Sequence, residues 1–166
     1  SLTIDTSIST PSSPDLADAS DTGSSSSDDL TGDTTPTFTG TAEADSTVEV
    51  FSDGSSLGTT TTDSDGNWSF TAGTLDAGTY SITVKATDTA GNESDESDSL
   101  SITIDFSIMS NRTALDNAIT AWIADETSAT ETYGDINTWD VSQITDFSSL
   151  FEDEDTFNSD ISNWDV

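Results

Sequence analysis

From Asp15 to Asp33 the chain reads DLADASDTGSSSSDDLTGD, with aspartates at positions 15, 18, 21, 28, 29 and 33 and no Lys or Arg among them. Short carboxylates interleaved with Ser and Gly are hard oxygen donors on a backbone that turns tightly, and calcium takes about six to eight such oxygens. The chemistry these residues suit is cation binding; the competing description is a solvated, Ser-rich linker. Across the whole chain Lys85 and Arg112 stand against 33 acidic residues, a formal net charge of −31. Self-repulsion at that density opposes a compact state unless cations screen or bind it. Nucleic acid and anionic membrane surfaces are excluded as partners, because both need Lys or Arg against phosphates. Membrane insertion is not expected either, since no apolar run reaches spanning length.

The chain has no Cys and no His, which removes disulfides, the usual zinc sites, and every Ser-His or Cys-His nucleophile. Calcium is then the expected staple. Other carboxylates sit in turns. DSDGN at 63–67 looks like a calcium loop, but its glycine comes two places early and its twelfth position is Thr74 rather than Glu. It reads as a hairpin with Asp65-Gly66 at the tip and Asp63 adding to a polar junction. In ATDTAGN, Asp88 and Asn92 are placed either to ligate or to turn the chain. Glu152 to Asp155 reads as a solvated loop. Asp135/Asp140 and Asp160/Asp165 would suffice in number for glycoside hydrolysis. Their recurrence at a fixed spacing assigns them a structural role, and Trp139 and Trp164 a place in the core. No pair of carboxylates stands out as an acid and a base of divergent pKa, and an enzyme is not expected.

The framework carrying these groups is set by a period of two that begins near Thr35. Phe38, Val48 and Val50, Trp68 and Phe70, Tyr80 to Ala86, and Leu100 to Phe106 alternate with polar residues. Turn signals at Asp53-Gly54, Asp65-Gly66-Asn67, Gly73, Gly78 and Gly91-Asn92 separate them. Strands at Leu16, Phe38, Val48, Thr60, Trp68, Ile82 and Ile102 predict an antiparallel, immunoglobulin-like β-sandwich. In that order alternate loops fall at opposite poles. One, the leading pole, collects Asp5, Glu43, Asp45, Asp63, Asp65, Asp88 and Asn92. The trailing pole collects Asp21, Asp28, Asp29, Asp33, Asp53, Asp76 and Asp105. Thr3-Ile4-Asp5 matches Thr103-Ile104-Asp105 at an offset of 100 residues, which predicts that residues 1–14 hold the stub of a preceding repeat and a linker.

The string SDTGSSSSDDLTGDTTPTFTGTAEADSTVEVF, followed by DSDGNWSF, GTYSITVKATDTAGNES and SITID, resembles the bacterial Ig-like repeats of giant RTX-type adhesins over residues 15–105. That resemblance implies extender modules stacked in tandem, projecting a ligand-binding end from the cell, with calcium rigidifying their junctions. Asp29 and Asp45 depart from it, standing where relatives tend to carry neutral residues. The expected metal ligands are Asp5, Asp21, Asp28, Asp33, Asp88, Asn92 and Asp105. Substituting Asp21 and Asp28 is expected to loosen the joint to the C-terminal module and barely to affect the junction at Asp5.

After Phe106 the period changes. Leu115, Ala118, Ile119, Trp122 and Ile123 form one face of a helix over 111–126, with Ser110 as its predicted N-cap. DIxxWD then appears at 135–140 and again at 160–165, 25 residues apart, a solenoid period. Val141, Ile144, Phe147, Leu150 and Phe151 are spaced like a short helix capped by Ser142. The segment TWDVSQITDFSSLFEDEDTFNSDISNWDV resembles the BspA-type leucine-rich repeats of bacterial surface proteins, with Phe147 and Leu150 at the usual methionine positions. About one and a half coils are present, against roughly three needed to bury a solenoid's own face, so the open end is expected to be a dimerisation or aggregation liability.

The expected whole is mainly β: an Ig-like antiparallel β-sandwich (15–105) followed by a helix-capped, incomplete leucine-rich-repeat-like β/α solenoid (106–166). The function expected is a non-enzymatic, calcium-rigidified segment of a secreted bacterial surface adhesin, serving adhesion or biofilm formation. Its expected partners are neighbouring Ig-like repeats of the same chain and a protein or glycan ligand on a host or surface. The alternatives are an acidic halophilic surface protein without specific metal sites, or a non-catalytic module of a carbohydrate-active enzyme.

Overall fold

Eight strands are laid down between residues 15 and 104 of a computed structural model that describes residues 4–23, 25–152, 154–155 and 157–165. They are β1 (Asp15–Leu16), β2 (Leu30–Thr31), β3 (Thr37–Thr41), β4 (Thr47–Ser52), β5 (Ser55–Thr61), β6 (Asn67–Thr71), β7 (Gly78–Thr87) and β8 (Leu100–Ile104). Two sheets result, one ordered β1-β3-β6 and the other β2-β8-β7-β4-β5. Alternation along the strands decides what lies between them. Val48, Val50, Ile82, Val84, Ala86, Ile102 and Ile104 from the larger sheet meet Leu16, Phe38 and Trp68 from the smaller, all buried. The inward residues match the period-two reading strand by strand. Outward-facing threonines pair across strands, with hydroxyl contacts of 2.9 Å between Thr37 and Thr71 and 3.1 Å between Thr79 and Thr103.

Three details go beyond the expected seven strands. The chain changes sheets between β1 and β2, so that Leu30 and Thr31 run parallel to Thr103 and Ile104 of β8. DSDGN is not a hairpin tip: it joins β5 to β6, which belong to different sheets, and is therefore a corner. The acidic stretch Glu93 to Asp98 runs beside β7 without forming a strand. There Ser94 and Ser97 each donate an amide to β7 and accept a β7 amide on the hydroxyl, Ala86 N to Ser94 Oγ at 2.9 Å and Val84 N to Ser97 Oγ at 3.0 Å. Ile4 is 76% exposed and Ile4-Asp5 pair with no strand. Residues 1–3 of the expected stub lie outside the described residues.

The second unit has its own core. Helix α1 (Arg112–Ala124) buries Leu115, Ala118, Ile119 and Trp122, the predicted face. Its N-cap is Asn111 rather than Ser110, because the Asn111 side-chain oxygen accepts the Ala114 amide at 3.0 Å. A second helix, α2 (Glu126–Tyr133), comes directly after it, its N-cap Asp125 accepting the Thr127 and Ser128 amides. The segment 141–151 is a run of turns, not the expected helix. Asp140 and Asp146 each accept the amide two residues on, from Ser142 and Ser148 at 2.9 Å, and Ser149 takes φ +55°. Such local bonds compete with helical ones.

The two DIxxWD copies stack. Trp164 lies over Trp139 with centroids 6.3 Å apart and planes at 22°, while Trp122 of α1 meets Trp139 edge-on at 5.7 Å. The Trp164 indole donates to the Ile136 carbonyl at 2.7 Å, and the Asn163 amide to the Asn137 side chain at 3.0 Å. Between the units, Ile108 bridges Asp140 in parallel, with Met109 N to Asp140 O at 2.8 Å and Asp140 N to Ser107 O at 2.9 Å. Gly32 packs on this linker, and a Cβ there would collide with the Ile108 carbonyl.

Candidate metal centre

At the leading pole three loops converge. The β3–β4 loop brings Glu43, the β7–β8 connection brings Asp88 and the leading segment brings Asp5. Their carboxylate oxygens lie within 4.8 Å of one another, the one such group of three among the described residues. The first of these loops is tied by polar contacts to the β5–β6 connection. The Thr62 hydroxyl donates to the Glu43 carbonyl at 2.7 Å and accepts the Ser46 amide at 2.9 Å.

Asp88 is held by its own turn. Its Oδ1 accepts the amides of Ala90 and Asn92, each at 2.8 Å, and its Oδ2 accepts the Asn92 side-chain amide at 2.7 Å. The Asn92 side chain, then the neighbouring amides, favour the ionised form and hold the Asp88 carboxyl below its ordinary range. Asn92 thus supports Asp88 as a donor. Asp63, at the same pole, repeats the arrangement, with Oδ1 accepting Asp65 N at 2.9 Å and Asn67 N at 2.8 Å. In the sequence these turns are one motif, DxxGN, at 63–67 and 88–92. Each fixes a carboxylate in its charged state.

Three hard oxygen donors with formal charge −3 and no Lys or Arg in the group fit calcium better than any softer ion. Glu43 belongs to this group although only its pole, not its role, was readable from the sequence. The missing signal is register: Thr47 pairs with Thr87, so the loops before β4 and after β7 meet.

The trailing-pole residues are arranged differently. Asp33, like Asp88, accepts from the protein on both oxygens, Oδ2 from the Ser20 hydroxyl and Oδ1 from the Thr35 amide, both at 2.9 Å, but stands in no group of three carboxylates among the described residues. Asp105 accepts the Ser107 amide at 2.9 Å and shapes the turn into the linker. Asp21 is 6% exposed, and its Oδ2 accepts the Asp29 amide at 3.4 Å. Asp28 is exposed and accepts the Leu30 amide at 3.3 Å. These four do not gather into a three-carboxylate group among the described residues.

Residues 7–106 match the family described as bacterial Ig-like domain. The chain belongs to that family. Beyond the bacterial Ig-like domain, residues 123–166 match a family described as a Mycoplasma protein of unknown function, DUF285. The solved structures that resemble the chain include the following two. One is a biofilm associated protein, BSP domain, 24% identical, covering 59% of this chain, with a TM-score of 0.42. The other is the PKD domain of an M14-like peptidase from a Thermoplasmatales archaeon, 18% identical, covering 60% of this chain and 98% of that one, with a TM-score of 0.36. The chain spans 14% of the length of the biofilm associated protein. No curated protein matches it. Among the described residues no helix is long and apolar enough to cross a membrane.

Proposed function

We propose that this chain is a non-enzymatic segment of a secreted bacterial surface adhesin, of the RTX-type extender kind, whose Ig-like domain is rigidified by calcium where the chain arrives. The observation that carries the reading is the convergence of Asp5, Glu43 and Asp88. Asp5 lies on the leading segment, outside the sandwich strands, whereas Glu43 and Asp88 are fixed to it. A calcium ion held by all three ties the preceding stretch of chain to the domain and restricts the hinge. The neighbours so aligned are Ig-like repeats of the same chain, in the service of adhesion or biofilm formation.

The second unit serves in this reading as the start of a BspA-type, leucine-rich-repeat-like solenoid that contacts a protein or glycan ligand. Two stacked DIxxWD copies and the inter-coil bonds of Asn137 and Ile136 support it. The test is thermal unfolding of the full chain in EGTA and in low-millimolar calcium at fixed ionic strength, with D5N, E43Q and D88N beside it. Calcium is expected to raise the transition of the parent and to raise it less in each variant. A transition that ignores calcium and climbs with sodium chloride instead supports the halophilic alternative, in which acidity serves solvation.

A further inference from the structure

The loop Ala17 to Asp29 carries the chain from the smaller sheet to the larger, and it folds a carboxylate inward. Asp21 is 6% exposed, and among the described residues no donor reaches its Oδ1. Its Oδ2 has one long bond, to the Asp29 amide at 3.4 Å. A buried carboxylate normally meets donors on both oxygens or a counter-charge. Here it meets more acid. The Asp28 carboxyl adjoins it closely enough to share a hydrogen bond if either were protonated, and the charges of Asp29 near the pair and of Asp15 near Asp29 add to the repulsion. Gly23 leaves room at this point: a Cβ there would stand 3.3 Å from Asp28 Oδ1 and 2.8 Å from the Leu30 carbonyl.

The counter-charge does not come from the chain. Arg112 is engaged with Asp116 at 2.7 Å and Lys85 with Glu96 at 3.8 Å, and they are the chain's only basic side chains. A single proton shared between the two would engage one oxygen of each and leave one negative charge, with those of Asp29 and Asp15 nearby, uncompensated. A hard divalent cation engages an oxygen of each carboxylate at once and completes its shell with backbone carbonyls or water.

We propose that Asp21 and Asp28 form a second divalent-cation site, internal to the Ig-like domain and separate from the leading-pole group. It clamps the crossover loop onto β2 rather than joining one module to the next. The site does not depend on the adhesin reading, since it needs no neighbouring repeat.

The test is calcium titration of the chelator-stripped full chain by calorimetry, at pH 7 and constant ionic strength, for the parent, D21N, D28N and D88N. D21N and D28N are each expected to lose one equivalent of bound calcium relative to the parent. D88N is expected to keep that equivalent and lose a different one. The proposal is overturned if both D21N and D28N bind as many equivalents as the parent, the outcome of a pair neutralised by a proton alone. Asp28 is exposed, so D28N decides the matter should D21N not fold. Failure of D88N to lose an equivalent, with D21N and D28N behaving as expected, counts against the leading-pole site only.

Discussion

Asp63 and Asp88 are held below the ordinary carboxylate value of 3.8 by hydrogen bonds, led by the Asn67 amide for one and the Asn92 side chain for the other. Burial, followed by like charge from their acidic neighbours, pushes Asp21 and Asp29 above it. The linkage signs are opposite. The depressed pair adds stability that is present above 3.8 and is lost as pH falls through the lowered folded values. For the raised pair the favourable contribution exists below 3.8 and disappears as pH rises through the folded values. Without divalent cations, D88N is therefore expected to melt below the parent at pH 7 and D21N above it. Both differences should close in acid, as followed by circular dichroism between pH 2 and 7. At this scale the sequence announced acidity but not assignment: a run of aspartates looks the same whether a residue turns outward, as Asp28 does, or is folded under, as Asp21 is.

Elements were more legible than residues, because burial of one face leaves a period in the chain. Phe38, Val48, Val50, Ile82, Val84, Ile102 and Ile104 alternate in sequence and are all buried. Phe38→Ala is expected to cost about 3–5 kcal/mol by denaturant unfolding, the range for removing a buried aromatic. Where no period exists the elements were missed. Glu93 to Asp98 has no apolar face, since its service to β7 is done by serine hydroxyls, and α2 has one buried residue, Ala129. Caps are settled by geometry one position at a time, which is why Asn111 displaces Ser110. Asn111→Ala should cost the second unit about 1 kcal/mol. Gly32→Ala is expected to push the linker off the end of β2, altering Met109 and Asp140 amide shifts while leaving those of β4 and β7 in place.

At the level of the whole molecule, two cores are joined by a short linker that is itself part of the second unit's stacking, through the Ile108–Asp140 bridge. The charge of −31 sets the conditions under which they coexist. Raising sodium chloride from low to physiological ionic strength should raise the melting temperature without any specific ion, because exposed carboxylates are screened over about a Debye length of 8–10 Å. The sandwich was readable as a whole from strand spacing. The sheet change between β1 and β2 was not, because a two-residue strand carries too little pattern.

That sheet change has a mechanical meaning. β2 and β8 are parallel, joined by Thr103 N to Asp29 O and Asp105 N to Thr31 O, both at 2.9 Å. The chain arrives at the leading pole and leaves beyond β8 at the other. Once tension has drawn β1 from β3 and straightened the loop behind it, β2 and β8 are dragged in opposite directions along their length, so these bonds are loaded together in shear instead of being unzipped singly. Resistance to pulling is governed by the rate of that rupture and not by equilibrium stability. A module of modest thermal stability can, by this geometry, still bear load along its axis.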